Sequence, residues 1–92
     1  MPEIVLTIEL PDGKALPCYS PSTIIRSHFQ VGETLTVHEF VQRSRVAFAA
    51  ASERVRARYG FACSAAAGQL AEIEAQSSLY AGDAEVRILS IT

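Results

Sequence analysis

Two cysteines, Cys18 and Cys63, and two histidines, His28 and His38, are the side chains of this 92-residue chain best suited to nucleophilic or general-base chemistry. Cys63 stands just ahead of a segment with helical spacing. A helix N-terminus lowers a thiol pKa and yields a reactive thiolate, and either histidine would serve as base if the fold brought it near. The plainer reading is preferred for both thiols: Cys63 as a small hydrophobe packing a helix joint, Cys18 as a structural residue beside Pro17 on a strand. A regulatory disulfide between them needs Cα atoms within about 7 Å. No CxxC or Cys/His cluster is present, so neither a metal nor a cofactor is expected.

Anion binding is the second chemistry on offer. Arg54, Arg56 and Arg58, with Arg43 and Arg45, lie off the apolar stripe of a long helix and suit a phosphorylated ligand or an acidic partner surface. The bland alternative is a solvated helix face, balanced by Glu53, Glu72 and Glu74. Ser20, Ser22 and Thr23 can hold an anion at a helix start, although plain capping is the preferred role. A net charge of −2, without a Gly-rich phosphate loop, argues against nucleic acid. No apolar run reaches bilayer-spanning length. The first ten residues, MPEIVLTIEL, have no basic region and no small-residue cleavage site, so a cytoplasmic protein with reduced thiols is expected.

Residues 1–92 form one domain, with 49 % hydrophobic residues to build a modest core. Positions 3–10 alternate with period two, placing Ile4, Leu6, Ile8 and Leu10 on one face of a strand. Pro11-Asp12-Gly13 turns the chain into a second strand, roughly 14–19. Pro17 cannot donate to a ladder, which assigns that strand to a sheet edge and leaves the edge open to a homodimer. Ser20 as cap and Pro21 at the first helical position predict a two-turn helix reaching Phe29, held by Ile24, Ile25 and Phe29.

The clearest element is a helix over about 37–59. Thr36 and Glu39 make a capping box, and Leu35 and Phe40 a hydrophobic staple. Gly60 supplies the left-handed stop, with Phe61 as the apolar contact after it. Val37, Phe40, Val41, Ser44, Ala47, Phe48, Ala51, Val55 and Tyr59 form its apolar stripe, and Glu39–Arg43 is a four-residue pair. A second, antiparallel helix is predicted near 64–78 around Leu70 and Ile73, with Gly68 a weak point inside it. The final strand, AEVRILSIT, is apolar on both faces and so sheltered. These elements predict a small α+β two-layer sandwich: a three-stranded sheet of order 2-1-3, its last strand parallel to its first, with helices on one face.

PDG in the hairpin, CYSPS at 18–22, ASERVRARYGFACS at 51–64 and QL at 69–70 together resemble the small nitrogen starvation response proteins of mycobacteria. The likeness covers essentially the whole chain. Leu10 departs from the aromatic residue expected before PDG, a conservative change at a packing position. What the resemblance implies is context: a gene cluster with a nitrilase-type enzyme, a radical SAM protein, an acetyltransferase and a flavin-dependent oxidoreductase, tied to growth on cyanide or nitriles. It brings no catalytic residues to this chain. The resulting expectation is a non-enzymatic accessory protein of nitrogen assimilation that docks a protein partner. The site expected for it is the helix joint formed by Arg54, Arg56, Arg58, Tyr59, Gly60 and Cys63. The alternatives are a thiol-dependent enzyme or carrier using Cys63 with Cys18, and a small anion sensor at Ser20–Thr23.

Overall fold

The hairpin forms as its sequence demands. The computed structural model describes residues 4–20, 22–60 and 64–92; Pro21, Phe61 and Cys63 lie outside them. Strand β1 (Ile4–Glu9) pairs antiparallel with β2 (Ala15–Ser20), from Ile4↔Ser20 to Glu9↔Ala15. At the turn Leu10 N donates to Lys14 O at 2.7 Å and Gly13 N to Leu10 O at 2.8 Å, while Lys14 N donates to Asp12 Oδ1 at 3.1 Å. Gly13 takes φ +91°, the left-handed region open to glycine.

Hydrogen-bonded and non-bonded pairs alternate along an antiparallel ladder. The bonded Leu10/Lys14 pair therefore puts Thr7↔Pro17 and Val5↔Tyr19 in the non-bonded class, with the backbone of Pro17 and Tyr19 turned outward. Pro17 removes no ladder bond, and β2 is a sheet edge as expected.

The connection after β2 departs from expectation. Ser20 ends the strand: its hydroxyl donates to Ser22 O at 2.9 Å and accepts from Ser22 N at 3.3 Å. The cap is Ser22, not Ser20, and it accepts from Ile24 N above a 3-10 helix of only five residues, Thr23–Ser27. Ile25 and Phe29 are buried as predicted, and Ile24 is half-buried.

Next comes a strand that the sequence reading missed. β3 (Thr34–Thr36) is three residues long and runs straight into helix α1 (Val37–Tyr59). Thr36 is both the last residue of β3 and the cap of α1. The capping box is complete: Glu39 N donates to Thr36 Oγ1 at 3.1 Å and Thr36 N to Glu39 Oε1 at 3.3 Å. Gly60 closes the helix in the left-handed conformation, φ 84°, with its N–H on Arg56 O. Helix α2 (Ser64–Ser77) returns antiparallel across the sheet and delivers the chain to β4 (Glu85–Ile91).

The sheet has four strands in the order β2-β1-β4-β3, not three. The predicted 2-1-last neighbourhood holds, and β3 adds a second edge. β4 runs antiparallel to both β1 and β3, which overturns the parallel expectation. The cause is where α2 sets the chain down. The turn after it meets the start of α1, so β4 begins beside the end of β3 and must run back along it. The ladder with β1 shifts between Thr7↔Ser90 and Ile8↔Ile88, leaving Leu89 as the extra residue of a bulge. The bulge lets Ile88 and Ile91 both join the core side although three residues apart, and turns out Leu89, 40 % exposed. This explains the apparent two-faced pattern of the strand.

One core lies between the sheet and the helices, with Phe40, Phe48, Leu6, Ile8, Ile25, Ile73 and Ile88 as its fully buried large residues. Arg43 bonds Glu33 at 2.7 Å while its charge still acts favourably on Glu39, and its guanidinium carbon lies 5.9 Å from the ring centroid of buried Phe29. It thereby clamps the 28–33 loop to α1.

Two predictions follow from helix ends and helix interiors. Thr36→Ala should lower unfolding free energy by about 1 kcal/mol at pH 7 in urea titration. Hydrogen bonds from the Thr36 amide and hydroxyl hold the Glu39 carboxyl below the ordinary carboxylate range. That contribution is complete above this range and should be lost as pH falls through the lowered value; Thr36→Ala should flatten the acid limb. Gly68 lies inside α2, and a Cβ built on it meets nothing within 4 Å. Gly68→Ala should therefore stabilise the protein by about 1 kcal/mol, read as a rise in Tm of several degrees.

Candidate functional site

Of the candidate thiols, Cys18 is described and Cys63 is not. Cys18 is fully buried on the core face of β2, opposite Leu6, and its Sγ lies 3.8 Å from Leu16 O. Burial, reinforced by the negative charge of Glu72 on α2, pushes its pKa up to about 12. A thiol held neutral cannot act as a nucleophile at physiological pH. Neither histidine bonds it. His38 is exposed on the first turn of α1, and half-buried His28 is tied by its carbonyl to Arg43 Nη1 at 3.4 Å. Among the described residues no group of three or more His, Cys, Asp or Glu side chains can hold a metal ion.

The serine site is occupied by the chain itself. Both the Ser20 and Ser22 hydroxyls are used in local bonds, and the helix they precede is a single short 3-10 segment. Capping accounts for them.

The arginines of the helix joint are placed differently. Val55 is the last buried residue of α1, and Arg56, Ala57, Arg58, Tyr59 and Gly60 all face solvent. Arg54 is exposed one residue earlier. Arg56 meets Glu53 only at 3.9 Å, with both side chains more than 60 % exposed, and an exposed pair at that distance contributes little. Arg58 lies over the ring of its neighbour Tyr59, 5.8 Å from the centroid, where Tyr59 is 46 % exposed. Three guanidiniums within five residues thus crown the end of the helix hairpin, with one carboxylate, Glu53, beside them.

Two hollows were not visible in the sequence. A groove of about 410 Å³ separates the first half of α1 from the end of α2, lined among others by His38, Val41, Arg45, Glu74 and Tyr80. Arg45 bridges it, with Nη2 2.8 Å and Nε 3.2 Å from the same oxygen of Glu74. The opposite charges of the two helices were the only sign of this pair, 29 residues apart. Desolvation and then the nearby Asp12 carboxylate raise the Tyr80 phenol, while the Lys14 amide and then Tyr80 lower the aspartate. A second hollow of about 330 Å³, lined by Arg26, His28, Glu33 and Arg43, is filled electrostatically by the Arg43–Glu33 pair. Both are shallow structural junctions rather than enclosed sites.

At the opposite edge of the sheet α2 touches β2 by a specific bond: Tyr19 N donates to Gln69 Oε1 at 3.0 Å. The CYSPS and QL segments therefore meet in space, although 50 residues apart.

Among the described residues no helix is long and apolar enough to cross a membrane. A family model described as "Nitrogen starvation-induced protein NitG" matches residues 5–91, nearly the whole chain. No curated protein and no solved structure matches it.

The raised thiol has a consequence in alkali. A proton held to about 12 in the fold and released near 8.5–9 in the unfolded chain stabilises the protein below that range. Stability should fall as pH rises from about 9 toward 12. Chemical denaturation at several alkaline pH values checks this. Cys18→Ala should remove part of the slope, the remainder coming from Tyr80.

Proposed function

Because the chain belongs to the nitrogen starvation-induced protein NitG family, we propose that it is a non-enzymatic accessory protein that docks an acidic partner in the cytoplasm. The pathway is nitrogen assimilation under starvation, and the resemblance of its motifs points to nitriles or cyanide as the nitrogen source. The docking element is the arginine-bearing end of the helix hairpin.

One observation carries this reading. Arg54, Arg56 and Arg58 extend around and beyond the last buried residue of α1, exposed, their one ion pair among the described residues being Arg56–Glu53 at 3.9 Å, in a chain of net charge −2. Guanidiniums that make no strong internal bond keep their donors for a partner's carboxylates. Such a patch steers association and confers salt dependence more than it adds buried apolar area. The neighbouring Tyr59, partly exposed under Arg58, supplies the aromatic contact common at interface centres.

The thiol chemistry has less support, since Cys18 is neutral and enclosed. Pairing through the β2 edge is likewise disfavoured: Pro17 has no N–H there and the Tyr19 N–H is already taken by Gln69.

Binding of the purified chain to each enzyme of the nitrile-assimilation cluster, measured by calorimetry at low salt, tests the proposal. One enzyme should bind, with affinity falling steeply between about 50 and 200 mM salt. The triple variant Arg54→Glu, Arg56→Glu, Arg58→Glu should weaken it at least tenfold without altering the circular dichroism spectrum. Binding by none of them, or undiminished binding by the triple variant, overturns the reading.

A further inference from the structure

Helices α1 and α2 and the 3-10 segment pack against the sheet face that carries Leu6, Ile8, Val86 and Ile88. The alternate residues of the same strands make the opposite face, and an antiparallel sheet ordinarily gives such a face to water by making it polar. Here apolar groups take central positions on it. Pro17 is exposed across from half-buried Thr7, and Leu89, 40 % exposed, stands on the neighbouring strand beside the Thr7↔Ser90 pair. The bulge is what brings Leu89 there: the extra residue adds an apolar side chain to the outward face of β4 next to Ser90.

Charge enters this face at one end. Glu9 of β1 lies directly across from Arg87 of β4, and both are exposed. Among the described residues neither belongs to an ion pair, although the two are cross-strand neighbours of opposite sign. β1 and β4 are also the two inner strands of the order β2-β1-β4-β3. A two-fold axis running along the strands between them puts β1 of one copy over β4 of a second, and β2 over β3. That single operation sets Glu9 of each copy over Arg87 of the other, and Leu89 of each against Thr7 of the other. The pattern is self-complementary, as an isologous interface requires, and stacked sheets keep their strands near alignment in this way. Area limits the strength. Four strands about 4.8 Å apart and about six residues long offer roughly 400 Å² per copy. Two copies therefore hide about 800 Å², the range of weak and reversible association.

We propose that two copies of this chain pair face to face through the uncovered side of the sheet, with Leu89 at the centre and two reciprocal Glu9–Arg87 ion pairs at one end. The helix layer of each copy, with Arg54, Arg56 and Arg58, stays on the outside of this dimer.

Sedimentation velocity on the purified full chain, between about 10 µM and 1 mM at low salt, reads the association. The weight-average mass should rise from that of one chain toward that of two. Leu89→Asp, at an exposed position, should weaken pairing about tenfold with an unchanged circular dichroism spectrum. Glu9→Arg and Arg87→Glu should each weaken it by about the same factor, because each sets like charges face to face. The double exchange Glu9→Arg with Arg87→Glu restores opposite charges across the two-fold and should recover the affinity of the unaltered chain. A mass that stays at one chain across the whole range overturns the proposal. So does a dimer indifferent to Leu89→Asp, or a double exchange that pairs no better than the single ones.

Discussion

The start of α1 is the junction on which the remaining structure depends. A helix begins with four N–H groups that have no partner inside it, and here each is satisfied from a different direction. Thr36 N reaches Glu39 Oε1 at 3.3 Å, and Glu39 N reaches Thr36 Oγ1 at 3.1 Å. Val37 N donates to Ala84 O at 2.7 Å and His38 N to Gly82 O at 3.0 Å. Two donors are thus closed within the capping box and two by the turn that launches β4. The same few residues end β3, start α1, and hold the chain as it leaves α2. Once that turn is bound to the helix start, β4 can only run back along β3. The order β2-β1-β4-β3 and the all-antiparallel sheet are consequences of this.

Local chemistry that is complete within a few residues was legible in the sequence. The Thr36/Glu39 box, the Gly60 stop, the Pro11-Asp12-Gly13 turn and the edge position of Pro17 all rest on neighbours in the chain, and all are present in the fold. What stayed hidden depends on partners far along it. β3 is three residues pressed against a helix cap, too short for alternation to register. The direction of β4 depends on the backbone of residues 82–84 meeting α1, which no side-chain pattern encodes. The bulge at Leu89 disguised a one-sided strand as a two-sided one. The ion pair of Arg43 with Glu33 was not legible because Glu33 precedes the helix and no helical spacing connects them, whereas the favourable charge of Arg43 on Glu39 was.

The candidate chemistry sorted by burial. Cys18, read as a structural residue beside Pro17, is fully buried on the core face of β2, and the non-bonded position of Pro17 keeps the ladder intact. Ser20 and Ser22 spent their hydroxyls on the 3-10 turn. Among the described candidates the arginines near the end of α1 are the exposed ones, because the apolar stripe of α1 runs out at Val55 while the helix continues to Tyr59. A helix that outlasts its own buried face has its last turn maintained by something other than packing, here the Gly60 cap and basic side chains that suit the negative end of the dipole.

Charge and anchorage are therefore distributed along the hairpin in opposite senses. At its base, α1 and α2 are locked by Arg45–Glu74, by Ile73 and by the turn bound to the helix start. Among the described residues nearer its joint, Ala66 is buried and Gln69 bonds Tyr19, while the last turns of α1 carry exposed guanidiniums. A partner seated on the last turns of α1 would meet guanidiniums that the buried face of the helix does not use.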